Sequence, residues 1–462
     1  MSTEAKMSAD EKSESPPQDT KPENIECVLY YRRWLILFIF ATFSGINALQ
    51  WIQYSIISNV IEKYYSVSSS AVEWLSMIFM VTYIPLVFPA SYFLDKRGLR
   101  ICILIGTFGT AVGAWLKVIS VRPDLFWVTF LGQTIVAVSQ IFMLSLPPSI
   151  AAAWFGANEV STACAIGVFG NQMGIALGFL LPPVIVENKD SIAEIGEELE
   201  VLFYGTAGFS TVIFILALLF FQDRPPTPPS PQQAMQKENA SKNEDGFLKL
   251  LKRLLRNRSY VLVVLMYAIN QGVFNAYSTL LNRLILMYFK DGEAFGGRVG
   301  LVFIIVGMTG GVVFGILLDA TRRFRVITLG VFAMSLVGMI AFTFTLELQN
   351  EIVVYICSGV LGCFLGGYMP IAYDFCAELT YPEPEGMTSG LLTVPTQVSG
   401  TLFTLAYSAM LTELGAMWAN VALCVSLLVG TVIHCTIKPD LRRQAVTAST
   451  DNLVKAEESL PS

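Results

Sequence analysis

The stretch SYFLDKRGLR, Ser91 to Arg100, decides the fold once it is set beside GILLDATRRFR, Gly315 to Arg325. Each ends a long apolar run with an aspartate, Asp95 or Asp319, and follows it with basic residues: Lys96, Arg97 and Arg100 in the first copy, Arg322, Arg323 and Arg325 in the second. The half-chain offset that relates the aspartates also relates Gln172 to Gln397, to within one residue. Weak similarity at such an offset marks a transporter made of two related bundles with a site at their interface.

Outward from these loops, the chain alternates apolar runs with short polar punctuation. The 462 residues are 54% hydrophobic and 14% charged, against roughly a quarter charged in an ordinary soluble protein, which excludes a soluble globular enzyme. Runs of the length needed to cross a hydrocarbon core fall near 34–60, 71–94, 101–120, 126–147, 160–183, 201–221, 260–288, 298–318, 325–346, 352–374, 387–411 and 416–436. The expected fold is an all-α integral membrane protein with twelve transmembrane helices in two six-helix bundles.

Lysines and arginines gather at Arg32, Arg33, Lys96, Arg97, Arg100, Arg322, Arg323, Arg325, Arg442 and Arg443, all on one side of such a topology, which places that side and both termini in the cytoplasm. The other side carries the acidic stretch Glu187 to Glu200, expected as a solvated loop. Residues 1–29 are polar, have no apolar run to act as a signal peptide, and are expected to be disordered; 30–221 form the first bundle. Residues 222–258 form a cytoplasmic linker that opens on Pro225, Pro226, Pro228, Pro229 and Pro231 and closes on FLKLLKRLLR, a basic amphipathic helix suited to an anionic membrane face or to a regulated partner. The second bundle spans 259–437 and a cytoplasmic tail 438–462.

Composition also limits the chemistry. One histidine, His434, leaves little for haem ligation, zinc or acid–base catalysis, so neither a metal nor another cofactor is expected. Eight cysteines without a CxxC pair, mostly in apolar runs, imply no disulfide framework. The net charge of -6 gives no support for nucleic-acid binding. The sequons at Asn239 and Asn257 fall on the cytoplasmic side and should carry no glycan.

Several residues stand out within the spans. Trp51, between Gln50 and Gln53 late in span one, suits the face of a quaternary ammonium, which has no proton to donate and is attracted by an aromatic quadrupole; an interfacial belt tryptophan is the competing reading. Gln172 lies two residues off the stripe Gly170, Gly174 and Gly178, so it turns about 200° from a tightly packed face toward whatever lies opposite. A ligand contact and a structural interhelical bond remain equal readings. Glu73, Lys117 and Arg283 fall near span ends where snorkelling is inexpensive, and Asp374 with Glu378 suits a gate. Without an evident buried carboxylate in the cavity, facilitated uniport is expected.

The paired Asp-basic loops resemble the signature loops of the major facilitator superfamily. That resemblance implies a conformational latch formed by Asp95, Arg97, Arg100, Asp319, Arg322 and Arg323, in which the aspartates accept from amides at a helix start in the opposite bundle. The first copy has Ser91 where the family usually has glycine. Longer strings narrow the match: ALQWIQYSIISNVI from Ala48, AAAWFGANEVSTACAIGVFGNQMGIALGFLLPPV from Ala151, STLLNR from Ser278 and AELTYPEPEGMTSGLL from Ala377. Together these resemble the feline leukaemia virus subgroup C receptor family from about Tyr30 to Arg443.

The resemblance implies a facilitator for choline and ethanolamine, with haem export on the same fold as an alternative and a non-transporting receptor or scaffold as another. It implies a ligand role for Trp51, Gln172 and its counterpart Gln397. A family tyrosine falls at the position held here by Asn275, while Tyr277 follows two residues later, so both are candidates for the second wall. A monomer in the lipid bilayer of the plasma membrane is expected.

Overall fold

The computed structural model describes residues 28–144, 146–156, 159–227, 247–290, 292–380 and 385–437, with the side chains of 95, 161, 247–250, 319 and 385–390 outside that description. Residues 1–27 of the N-terminal tail expected to be disordered, the C-terminal tail 438–462, most of the proline cluster and Asn239 therefore lie outside the described residues. The helices are α1 (Arg32–Ile52), α2 (Ser58–Tyr65), α3 (Ser69–Ile119), α4 (Phe126–Leu144), α5 (Pro147–Trp154), α6 (Val160–Ile185) and α7 (Ile192–Phe220). After the linker come α8 (Phe247–Arg256), α9 (Arg258–Leu286), α10 (Glu293–Thr321), α11 (Phe324–Thr345), α12 (Glu351–Thr380), α13 (Glu385–Glu413) and α14 (Ala416–His434). Among the described residues there is no strand.

Among the described residues, eleven helical segments are long and apolar enough to cross a membrane. Two of them, Ser69–Leu94 and Lys96–Ile119, lie within α3, which turns at Gly98. α13 completes the twelve; its Thr393, Thr396, Gln397, Ser399 and Thr401 lower its apolarity, and it faces other helices as much as lipid. The fold is that of two six-helix bundles, and helix pairing repeats between them. α1 packs on α6 as α9 packs on α13; α3 packs on α4 and α7, as α10 and α11 pack on α12 and α11 on α14.

Lipid tails are as apolar as leucine, so helices associate here through close backbone approach. The glycine stripe read from the sequence supplies it. Gly170 lies on Ala41, Gly174 on Gly45 and Gly178 on Leu49 and Ile52, the four-residue spacing of α6 matching that of α1. A Cβ at Gly174 would stand 2.0 Å from the Gly45 carbonyl oxygen. The second bundle uses the same device at Gly362, where a Cβ would stand 2.1 Å from the Phe303 carbonyl.

Helix ends are closed by side chains from elsewhere in the same bundle. Gly98 has φ +81°, a left-handed conformation that glycine adopts without penalty, and a Cβ there would meet the Asp223 carboxylate at 2.5 Å. Asp223 Oδ1 accepts from the Arg100 amide at 2.9 Å, capping the third span. The Arg100 guanidinium donates to the Leu218 carbonyl near the end of α7, and Arg325 makes the corresponding bond to the Cys435 carbonyl past α14. Basic residues at the starts of spans three and nine thus close the ends of spans six and twelve.

One expectation about the elements needs correction. The acidic stretch 187–200 is largely helix rather than solvated loop: α7 begins at Ile192, and the Ser191 side chain accepts from the Glu194 amide. Carboxylates favour the positive end of the helix dipole, so acidity here starts a helix instead of delaying it. Span one runs over Arg32–Tyr65 as expected, with an interruption inside it: α1 stops at Ile52, and a 3-10 turn over Ser55–Ile57 leads into α2.

Gly174→Ala should overpack the α1–α6 seam, costing about 1–3 kcal/mol and lowering the melting temperature of the detergent-purified protein by several degrees. Gly205→Ala, where a Cβ meets nothing within 4 Å, should leave it unchanged or raise it. Equal behaviour of the two variants would show that close approach at Gly174 is unnecessary.

Candidate functional site

The break in span one is where the candidate site begins. A helix that stops inside a membrane leaves carbonyls without their usual amide partners. Here the Gln50 carbonyl accepts from Gln133 Nε2 of α4 at 2.7 Å, and the Trp51 carbonyl accepts from Ser76 Oγ of α3 at 2.9 Å. Ser55 and Ser76 share a further hydrogen bond of 2.6 Å. Trp51 itself is 7% exposed, whereas Trp127 and Trp418 are 75% and 61% exposed and have the accessibility of belt residues.

A seam between the bundles passes beside this break. Val394 of α13 packs against Tyr83 and Val87 of α3 and Ile141 of α4. Two turns further on, Gly400 lies between Met80 of α3 and Asn275 of α9: a Cβ there would stand 2.8 Å from Met80 Sδ and 2.9 Å from Asn275 Nδ2. Gln397 is half-buried and falls between these two contacts at helical spacing, on the same side of α13.

Asn275 and Tyr277 are separated by this geometry. Asn275 is half-buried at the seam. Tyr277 is fully buried inside the second bundle, sharing a 3.0 Å hydrogen bond with Ser358 and packing its ring 4.7 Å from Phe303 and 5.1 Å from Phe342. Two residues on a regular helix rotate about 200°, so the pair cannot share a face.

Gln172 is half-buried, and its Oε1 is buried without a hydrogen-bond partner in the protein. The same holds for Gln140 on α4, next to Ile141 of the seam. Gln140 was not among the residues singled out from the sequence; the two amides of the mostly apolar fourth span, Gln133 and Gln140, were the available signal. A buried orphan acceptor is costly unless a donor reaches it.

Polar contacts between the bundles gather at the face opposite the chain termini. Arg283 of α9 pairs with Glu73 of α3 at 2.8 Å and also donates to Ser408 and Thr412 of α13. Asn282 Nδ2 donates to Ser58 and Asn59, while Asn59 and Asn188 both donate to Glu293 of α10. Beside them, Gly297 and Gly300 seat against Phe179 of α6. Outside the spans on this face, the hydrogen bond from Lys189 to Glu198, with Glu194 nearby, holds the lysine ammonium above its ordinary pKa range.

The remaining ionisable residues fall into place unevenly. Lys117 does not snorkel: it is fully buried, donates to Gln50 Oε1 at 2.9 Å and lies 5.6 Å from the Tyr54 ring centroid. Inward partners at the end of span three outweigh the nearby headgroup region. Nor are Glu73 and Arg283 separate snorkelling residues, since each supplies the other's counterion across the two bundles.

Of the expected latch, the Asp95 and Asp319 side chains lie outside the described residues. Arg97 and Arg323 are exposed, Arg100 is bound within its own bundle, and Arg322 ends α10 with φ +52°. Asp374 is exposed and Glu378 buried at the terminal face. His434 is buried against Phe332.

Comparison with known proteins places this geometry among relatives. A family model described as Major Facilitator Superfamily matches residues 34–404. The chain is 46% identical over 422 residues to the choline/ethanolamine transporter flvcr2a of Danio rerio, covering 91% of this chain and 90% of that one. It is 44% identical over 440 residues to the choline/ethanolamine transporter FLVCR1 of Felis catus, covering 95% and 78%, and 43% identical over 439 residues to FLVCR2 of Homo sapiens, covering 95% and 83%. Among solved structures, a bacterial homolog of the human lysosomal transporter Spinster aligns with TM-score 0.70 at 13% identity, over 88% of this chain and 97% of that one. The Escherichia coli fucose:proton symporter aligns with TM-score 0.61 at 14% identity, over 86% and 98%.

Glu73→Gln should loosen the face opposite the termini. In an Ile56→Cys background, labelling by a membrane-impermeant maleimide added to that face should rise several-fold. Unchanged labelling would show that the Glu73–Arg283 pair does not hold the bundles together.

Proposed function

Because the chain belongs to the major facilitator superfamily, and within it to the feline leukaemia virus subgroup C receptor family of choline/ethanolamine transporters, we propose that it carries choline and ethanolamine by alternating access of its two bundles. The observation that carries this reading is the buried Trp51 at a capped helix break beside the inter-bundle seam. An aromatic face attracts a trimethylammonium without requiring a hydrogen bond or a formal countercharge. The orphan carbonyls of Gln172 and Gln140 offer acceptors for a hydroxyl or a primary ammonium. Gln397 and Asn275 on the seam complete the polar wall, and Tyr277 supports it from within the second bundle.

The basic residues of the terminal face support a reading in which that face is cytoplasmic and the Glu73–Arg283 side is outside, as in a plasma-membrane protein with both termini internal. The described conformation is then closed to the outside. Asp95, Arg97, Arg100, Asp319, Arg322 and Arg323 would close the cytoplasmic face in the alternate state. The basic helix α8, with Lys252, Arg253, Arg256 and the exposed Leu255, lies against the anionic inner leaflet and joins the bundles. One chain holds a complete site and works as a monomer.

Transport is uniport in this scheme. Glu73, a buried carboxylate of the first bundle, is occupied by Arg283 and is not available to shuttle a proton. A cation entering an inside-negative cell gains about 2.3 kcal/mol per 100 mV.

Trp51→Ala should reduce saturable choline uptake to background at normal surface expression; wild-type uptake by this variant would remove Trp51 from the site. Depolarising the membrane should slow choline entry, whereas an imposed pH gradient should not drive it. The opposite pattern would overturn uniport.

A further inference from the structure

We propose that Ser76, Gln133 and Lys117 form a clamp on the break in span one that fixes the Trp51 indole, making them positioning residues that set substrate affinity without touching substrate. The proposal rests on the reading of Trp51 as the cation-binding ring. It concerns what holds that ring, and the bonds involved come from two other helices of the same bundle, α3 and α4.

Two consecutive residues, Gln50 and Trp51, receive all three clamp residues. Gln133 Nε2 of α4 takes the Gln50 carbonyl at 2.7 Å, and Ser76 Oγ of α3 takes the Trp51 carbonyl at 2.9 Å. The Gln50 side chain is used at both ends: its Oε1 accepts from Lys117 Nζ at 2.9 Å, and its Nε2 donates to Ser210 Oγ of α7 at 3.4 Å. Lys117 also reaches the Tyr54 ring at 5.6 Å. It therefore bridges from the residue before Trp51 to the residue three after it, spanning the interruption. Gln50, Ser76, Lys117 and Gln133 are fully buried.

A tryptophan at the end of an interrupted helix has backbone freedom that an intact hydrogen-bond ladder would remove. Holding a binding ring in place before the ligand arrives raises affinity by cutting the ordering cost of binding. The carbonyls released by the break are engaged by protein donors, so their role here is orientation of the indole and not ligation of an ion, the use to which broken helices are put in some other transporters.

The test is choline uptake kinetics at matched surface expression. Ser76→Ala, Gln133→Leu and Lys117→Met should each raise KM about 3–10-fold with Vmax within about two-fold, and Ser76→Thr, which restores the hydroxyl, should return KM toward wild type. In a Trp51→Phe background, which raises KM by itself, Gln133→Leu and Ser76→Ala should add little further, because they act through the same ring. A wild-type KM for Ser76→Ala and Gln133→Leu, alongside a raised KM for Trp51→Phe, would overturn the clamp and leave Trp51 in the site. Additive effects on KM in the double variants would also overturn it. A wild-type KM for Trp51→Phe would remove the cation site and the clamp together. Should Gln133→Leu fail to reach the surface, the single-hydroxyl pair Ser76→Ala and Ser76→Thr decides the matter.

Discussion

A backbone amide or carbonyl inside hydrocarbon needs a partner, because no water is there to replace one, and each unpaired group costs several kcal/mol. That constraint bears most directly on the interruption of span one. Where α1 stops, Gln133 and Ser76 supply buried donors; at the exposed terminal face Asp223, Arg100 and Arg325 cap the turn at Gly98 and the ends of α7 and α14, where water is also within reach.

The same economy shapes the outer closure. Breaking a buried ion pair normally strands a charge and costs several kcal/mol. Arg283 has a second set of partners, Ser408 and Thr412, on its own bundle, and these can travel with it when Glu73 is released. Glu73 belongs to the other bundle and loses its partner. The cost of opening is thus unequal between the halves, and it is smaller than the pair alone would impose.

Much of the architecture was legible in the sequence because its causes are local. Apolar run length, the Asp-basic loops and the four-residue glycine stripe read directly as spans, repeat and seam, and the structure seats Gly170, Gly174 and Gly178 on α1 as that spacing implies. The break after Ile52 was not legible: residues 53–57 contain neither glycine nor proline, and the donors that make the interruption tolerable come from positions 76 and 133. Lys117 was misplaced for a related reason, since closeness to a span end suggested a headgroup and only the fold brings Gln50 and Tyr54 to it. Choosing between Asn275 and Tyr277 needed the register of α9 against α13, which no single-chain pattern contains.

The Asp223 cap bears on the order in which the protein is made. Asp223 lies just past the last span of the first bundle, yet its carboxylate completes the turn at Gly98 and the start of the third span. During synthesis, spans two and three enter the membrane with that turn unfinished, and it is closed only when the sixth span has been inserted and the chain beyond it has emerged. The first bundle is therefore sealed by its final residues, before any helix of the second has left the ribosome. A chain ending before Asp223 would keep the Arg100 amide at that helix start without its carboxylate partner.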